Sequence, residues 1–175
     1  MRPKHEFTLR IEGRLDAERT INALFEAGCD DASFSMIDDV GFGDFHRRAS
    51  SLPEAIASAI RDVESVPGLH VLRIDMDDLV TMSDIARRLG RTRESVRLLA
   101  AGKRGKGDFP PPLSRLGSGS PFWRWTDVAA WAGKLPPTEQ ARARTITAVN
   151  AALELRRQRG ALDEAERALI DSLAS

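Results

Sequence analysis

The chain has little of what builds covalent or metal-held scaffolds. Its 175 residues include one cysteine, Cys29, so neither an intramolecular disulfide nor a cysteine-based metal cage is open to it. Cys29 is expected as a small buried hydrophobe, in keeping with a reducing compartment. The three histidines, His5, His46 and His70, are scattered without ligand spacing, and no Ser/His/Asp or Cys/His constellation accompanies them. No apolar run approaches the roughly 20 residues that cross a bilayer, which excludes a membrane span. Met1-Arg2-Pro3-Lys4-His5-Glu6 is not followed by an apolar signal stretch, so a cytoplasmic protein is expected. The run Gly41-Phe42-Gly43-Asp44 lacks the remaining glycines and the strand–loop–helix setting of a dinucleotide fingerprint and reads as a hairpin turn. The acidic pairs Asp30-Asp31 and Asp38-Asp39 sit at element ends, where turn and capping roles account for them. No enzyme, no metal and no cofactor is expected.

Net charge is also absent, but its distribution is uneven. Residues 1–77 carry 9 Lys/Arg against 15 Asp/Glu, residues 78–134 carry 11 against 5, and residues 135–175 carry 6 against 6. A basic segment between an acidic and a neutral one suggests contact with a polyanion, because Lys and Arg at such a surface release the counterions of nucleic acid. Charge alone favours the plainer alternative, a solvated surface.

The hydrophobic pattern divides along the same lines. Phe7, Leu9 and Ile11 alternate as in a strand over 7–12. Asp16 is placed to cap a helix over 16–27 carrying Ile21, Leu24 and Phe25 on one side, which Gly28 ends. Residues 32–37 and 42–48 form a hairpin around Asp38-Asp39 and Gly41. A helix with Leu52, Ile56, Ile60 and Val63 follows Ser51, and residues 69–74 close the set as a strand. The order βαββαβ predicts an α+β protein with a ferredoxin-like N-terminal domain over 1–77, a four-stranded sheet with two helices on one face.

From 78 to 134 the pattern changes. Thr81 and Asp84 make a capping-box start to a helix with Ile85 and Leu89 on one face, and Gly90 ends it. Thr92 caps a second helix in which Val96 and Leu99 point inward while Arg93, Glu94 and Arg97 stay outside. Two short helices across a glycine turn form a helix-turn-helix, although a helical hairpin with no ligand has the same pattern. Next come the basic, flexible Gly102-Lys103-Arg104-Gly105-Lys106-Gly107-Asp108 and a hairpin, 110–116 and 122–125 around Gly117-Ser118-Gly119-Ser120. In this wing Trp123 and Trp125 share one face and Arg124 takes the other. Thr126 then caps a helix over 127–132 with Val128 and Trp131.

These residues resemble the winged helix-turn-helix of the MerR and AlpA-like excisionase superfamily. The resemblance is carried by Thr81-x-x-Asp84-Ile85-Ala86-x-x-Leu89-Gly90, Ser95-Val96, Phe109-Pro110-x-Pro112 and Trp123-Arg124-Trp125-x-Asp127-Val128-x-x-Trp131, about a third of the chain. It implies double-stranded DNA as partner, with contacts from Arg91, Thr92, Arg93, Glu94 and Arg97 in the second helix and from Arg115 in the wing. Lys103, Arg104 and Lys106 look like phosphate contacts, and Arg124 faces outward by strand alternation. The chain has no tyrosine where the ligand-coupled activators of this group have a tyrosine-rich pattern, so a metal or drug sensor is not expected.

In the tail, 135–175, Thr138 caps a helix to Arg159 with Ile146, Val149 and Leu153 on a stripe. Asp163 and Glu166 open a second helix with Leu169, Ile170 and Leu173. This helical hairpin either folds back on its own domain or joins a second subunit through residues 138–173, and the two-fold symmetry of palindromic sites favours a homodimer. The functional expectation is a sequence-specific DNA-binding protein, a transcriptional regulator or an excisionase-type control protein of a mobile element. The competing class is an interaction module, an antitoxin or adaptor whose acidic N-terminal domain binds a partner protein.

Overall fold

The computed structural model describes residues 2–75, 79–115 and 121–173. The protein is α+β, and the chain divides into two compact units, Met1–Asp75 with Arg144–Ser175, and Met76–Ala143. The expected third unit over 135–175 is therefore not separate: from Arg144 onward the tail belongs with the N-terminal segment.

The first unit runs β1 (Lys4–Glu12), α1 (Glu18–Glu26), β2 (Ala32–Ile37), β3 (Val40–Arg48), α2 (Leu52–Glu64) and β4 (His70–Asp75). The strands pair antiparallel in the order β2-β3-β1-β4. Phe7, Leu9 and Ile11 of β1 and Phe45 of β3 are buried on one face together with Leu24 of α1 and Ala55, Ile56, Ala59 and Val63 of α2. The β2–β3 hairpin turns on two residues, Asp38 and Asp39, with φ of 48° and 61°, the doubly left-handed geometry of a type I′ turn. Gly41 lies in β3, not in the turn, and a Cβ there would meet Leu15 Cδ1 at 2.6 Å. Asp16 does not cap α1; it is held by Arg14 at 2.6 Å, and the helix starts after Ala17 without a side-chain cap. Of the predicted α1 stripe only Leu24 is buried, and Phe25 is 65% exposed. Cys29 is buried, and burial pushes its thiol up to about 11.

Arg47 joins both helices to the sheet. Buried on β3, it donates to Asp31 at 2.9 Å, to Asp62 and Ser58 of α2, and to the Gly28 carbonyl beyond α1. Burial alone would lower its pKa, but the Asp31 and Asp62 carboxylates outweigh that and hold the guanidinium above its ordinary value. Asp31 is thus an ion-pair partner, which its position at an element end did not signal.

The tail continues as α6 (Pro137–Gln158) and α7 (Glu164–Leu173). Asn150 accepts from the Ile74 N–H at 2.7 Å and donates to the Ile74 carbonyl at 3.0 Å, while Arg156 pairs with Glu64, which also accepts from the Val71 N–H. Side chains thus occupy backbone groups of β4, which has a strand neighbour on one side only. Ile146 and Leu153 are 1% and 6% exposed within the single chain. The apolar stripe expected to meet a second subunit through 138–173 is used internally by these two residues. The Asp163–Glu166 box caps α7, each side chain accepting from the other residue's backbone N–H at 2.8 Å. Leu169 and Leu173 are exposed. Among the described residues no helix is long and apolar enough to cross a membrane, and no group of three or more His, Cys, Asp or Glu could hold a metal ion.

The second unit contains β5 (Leu79–Thr81), α3 (Met82–Leu89), α4 (Arg93–Ala100), β6 (Ser114–Arg115), β7 (Pro121–Arg124) and α5 (Trp125–Trp131). Its sheet is antiparallel in the order β5-β7-β6. Val80, Ile85, Ala86, Leu89, Val96, Trp123 and Val128 form the core. Trp125 opens α5 instead of ending the strand, and the helix cap is Arg124 without a side-chain bond, not Thr126. The loop tip, Gly117-Ser118-Gly119-Ser120, lies outside the described residues.

Candidate nucleic-acid interface

The site is built on two successive capped helices. Thr81 and Asp84 form a reciprocal box: the Thr81 hydroxyl oxygen accepts from the Asp84 N–H at 3.2 Å, and the Asp84 carboxylate accepts from the Thr81 N–H at 3.1 Å. The Thr81 hydroxyl and N–H, bonding the charged form, hold the Asp84 carboxyl below the usual range. Gly90 ends α3 at φ 65°, where the Arg91 N–H reaches the Ala86 carbonyl at 2.8 Å. Thr92 caps α4 by accepting from the Ser95 N–H at 3.1 Å. These bonds determine where the first turn of α4 begins and which side chains it presents.

Val96 and Leu99 are buried, which leaves Arg93, Glu94 and Arg97 exposed. Arg93 and Arg97 stand four residues apart on one helix face. Their states differ. Arg97 forms a two-pronged ion pair with Glu94, at 2.7 and 2.6 Å, which holds the Glu94 carboxyl low and the guanidinium high. Arg93 has no carboxylate partner among the described residues, and neither do Arg91, Lys103, Lys106 and Lys134. By contrast, Arg87 pairs with Asp84, and Arg88 stacks over Trp125 at 5.0 Å.

After α4 the chain turns at Gly102 (φ 66°), where the Lys103 N–H bonds the Leu98 carbonyl at 2.9 Å. Gly105 and Gly107 also have positive φ, so the basic loop bends sharply and returns along α4, with Arg104 Nη1 lying 3.5 Å from Ser95 Oγ. Lys103, Arg104 and Lys106 are exposed. The far end of this loop is pinned: Phe109 packs edge-on to Trp131 at 4.9 Å and to Trp123 at 6.2 Å. The indole N–H of Trp131 donates to Asp108, and that of Trp123 to the Pro110 carbonyl. Arg115 pairs with Pro121 through the backbone of the β6–β7 ladder, and Arg124 is half-buried opposite Leu79.

Arg91, Thr92, Arg93, Glu94 and Arg97 are thus exposed at and just before the first turns of α4, and Arg104 joins them from the basic loop. Arg115 and Arg124 belong instead to the strands of the β5-β7-β6 sheet. Lys134, which the sequence reading passed over, lies with Arg91 around a cleft of about 260 Å³. Its only sequence signal was a cation directly after a helix-ending glycine. In comparisons with protein-family models, characterised proteins and solved structures, no match to this chain was found.

Proposed function

We propose that the second unit is a winged helix-turn-helix that binds double-stranded DNA sequence-specifically, and that the protein acts as a transcriptional regulator or an excisionase-type control protein. The observation that carries this reading is the start of α4: Thr92 caps it, Val96 and Leu99 anchor it, Arg93 and Arg97 share its exposed face, and Arg104 flanks it at Ser95. α3 and α4 supply the helix-turn-helix, and β6–β7 supplies the wing. A helix of this kind offers its N-terminal side chains to base edges in the major groove. An arginine fork matches the two acceptors of guanine, and the exposed Lys103, Arg104 and Lys106 suit phosphates. The element order and strand order of the first unit favour a ferredoxin-like arrangement, which leaves the function of that unit open.

The test begins with selection of bound duplexes from a random pool, followed by titration of Arg93→Ala and Arg97→Ala against the selected and a scrambled duplex at equal salt. The expected result is a loss of about 1–3 kcal/mol of discrimination for Arg93→Ala. Equal losses on both duplexes would reduce these arginines to backbone neutralisers, and unchanged binding would remove α4 from the interface. The competing reading, a partner protein on the acidic first unit, is favoured by the exposed Ile21 and Phe25 of α1. Loss of a defined complex on Phe25→Ser, with DNA affinity unchanged, would support it.

A further inference from the structure

The cleft beside α4 is formed by two equivalent turns. α3 ends at Gly90 and α5 at Gly133, with φ of 65° and 64°. In both, the glycine N–H bonds the carbonyl three residues back: Gly90 to Arg87 at 3.2 Å and Gly133 to Ala130 at 3.0 Å. In both, the next N–H bonds the carbonyl five residues back: Arg91 to Ala86 at 2.8 Å and Lys134 to Ala129 at 2.9 Å. This is the Schellman closure, which holds the backbone of the residue after the glycine in a defined place. In each turn that residue is a cation. Arg91 and Lys134 line the same cleft, with Leu89, Ala132 and the Trp131 ring as its apolar part. The indole N–H of Trp131 is already bonded to Asp108, so what the ring offers the cleft is apolar. Both cations are exposed, and no described carboxylate pairs with either.

We infer that Arg91 and Lys134 form a clamp for one phosphodiester of bound duplex DNA, with Leu89, Ala132 and Trp131 accommodating the adjoining deoxyribose. The inference rests on the reading of the second unit as a DNA-binding module and adds Lys134 to its surface. An apolar wall beside two cations matches a sugar–phosphate unit, an anion attached to an uncharged body. Position points to duplex backbone, since Arg91 directly precedes Thr92, the cap of α4. A groove that receives the first turn of that helix carries its flanking strand past this residue. A backbone contact of this kind sets register and adds affinity without reading sequence.

The experiment is a fluorescence-anisotropy titration of the selected and scrambled duplexes with wild-type protein, Lys134→Ala, Lys134→Arg and Arg91→Ala across a salt series, with thermal melting of each variant. Lys134→Ala is expected to weaken binding about three- to tenfold on both duplexes and to flatten the log–log salt dependence by about 0.9. Lys134→Arg should retain most of the affinity. Unchanged affinity for Lys134→Ala, with wild type binding normally, overturns the clamp and leaves the DNA-binding reading intact. A loss confined to the selected duplex overturns it in favour of base recognition. A lower melting temperature with unchanged affinity overturns it in favour of a purely helix-terminating role. Failure of the wild type to bind any duplex overturns the DNA reading and the clamp with it.

Discussion

Thr81 and Asp84 show how much one capping pair organises. Their reciprocal bonds occupy two N–H groups that α3 would otherwise leave without partners. Thr81→Ala should destabilise the second unit by about 1 kcal/mol, read from the shift of its denaturant midpoint. The same pair sets an acid limit. The folded pKa of Asp84 lies below its unfolded value, so its contribution is present above the unfolded carboxylate range and lost as pH falls through the lower, folded value. In the wild type, amide exchange of the α3 N-terminal turn should accelerate on acidification below about pH 4 relative to a reference peptide, the usual carboxylate range; an Asp84→Asn variant should show no such step. Arg47 is the corresponding residue of the first unit. Arg47→Ala strands Asp31 and Asp62 and should cost about 3–5 kcal/mol, whereas a change of less than about 1 kcal/mol would mean that water replaces the guanidinium without penalty.

At the scale of elements, the basic loop combines sharp bends at its glycines with anchorage at Phe109. Changing Lys103, Arg104 and Lys106 together to Ala should weaken binding to every duplex and flatten the salt dependence by roughly 0.9 for each phosphate that is no longer neutralised. A weakening on one sequence only would contradict the backbone assignment. Trp123 is the element-level counterpart in the core. It is almost fully buried, pairs with Val80 across β5–β7 and holds the loop through the Pro110 carbonyl. Trp123→Ala should therefore cost about 3–5 kcal/mol, and in calorimetry the destabilisation should fall on the second unit.

At the scale of the molecule, the tail decides how the chain divides. Ile146 and Leu153 are buried within one copy, and Asn150 bonds both backbone groups of Ile74. Leu153→Glu should accordingly destabilise the first unit by about 3 kcal/mol or more, since it removes apolar packing and buries a charge in its place. Sedimentation equilibrium of folded Leu153→Glu should give the same mass as wild type. A wild-type dimer that the substitution converts to a folded monomer would restore the intersubunit reading of this stripe.

Much of the local structure was legible in the sequence because its causes are local. The capping residues Ser51, Thr81, Thr92 and Asp163, the helix-ending Gly90 and Gly133, and the alternation of Phe7, Leu9 and Ile11 each act within a few residues. The basic character of 78–134 was likewise a matter of counting charges. Position along the chain misled where a competing partner lay close by: Arg14 captured Asp16, and α5 extended back to take Trp125 from the strand. What only the tertiary structure decided depended on residues far apart. Arg47 needs Asp31 and Asp62 at once, α6 covers β4 through Asn150, and Arg91 and Lys134, each following the end of a different helix, line one cleft. Periodicity reports which face of an element is apolar; it does not report whose surface that face will meet, since that is set by closing long loops and by the packing gained once they close.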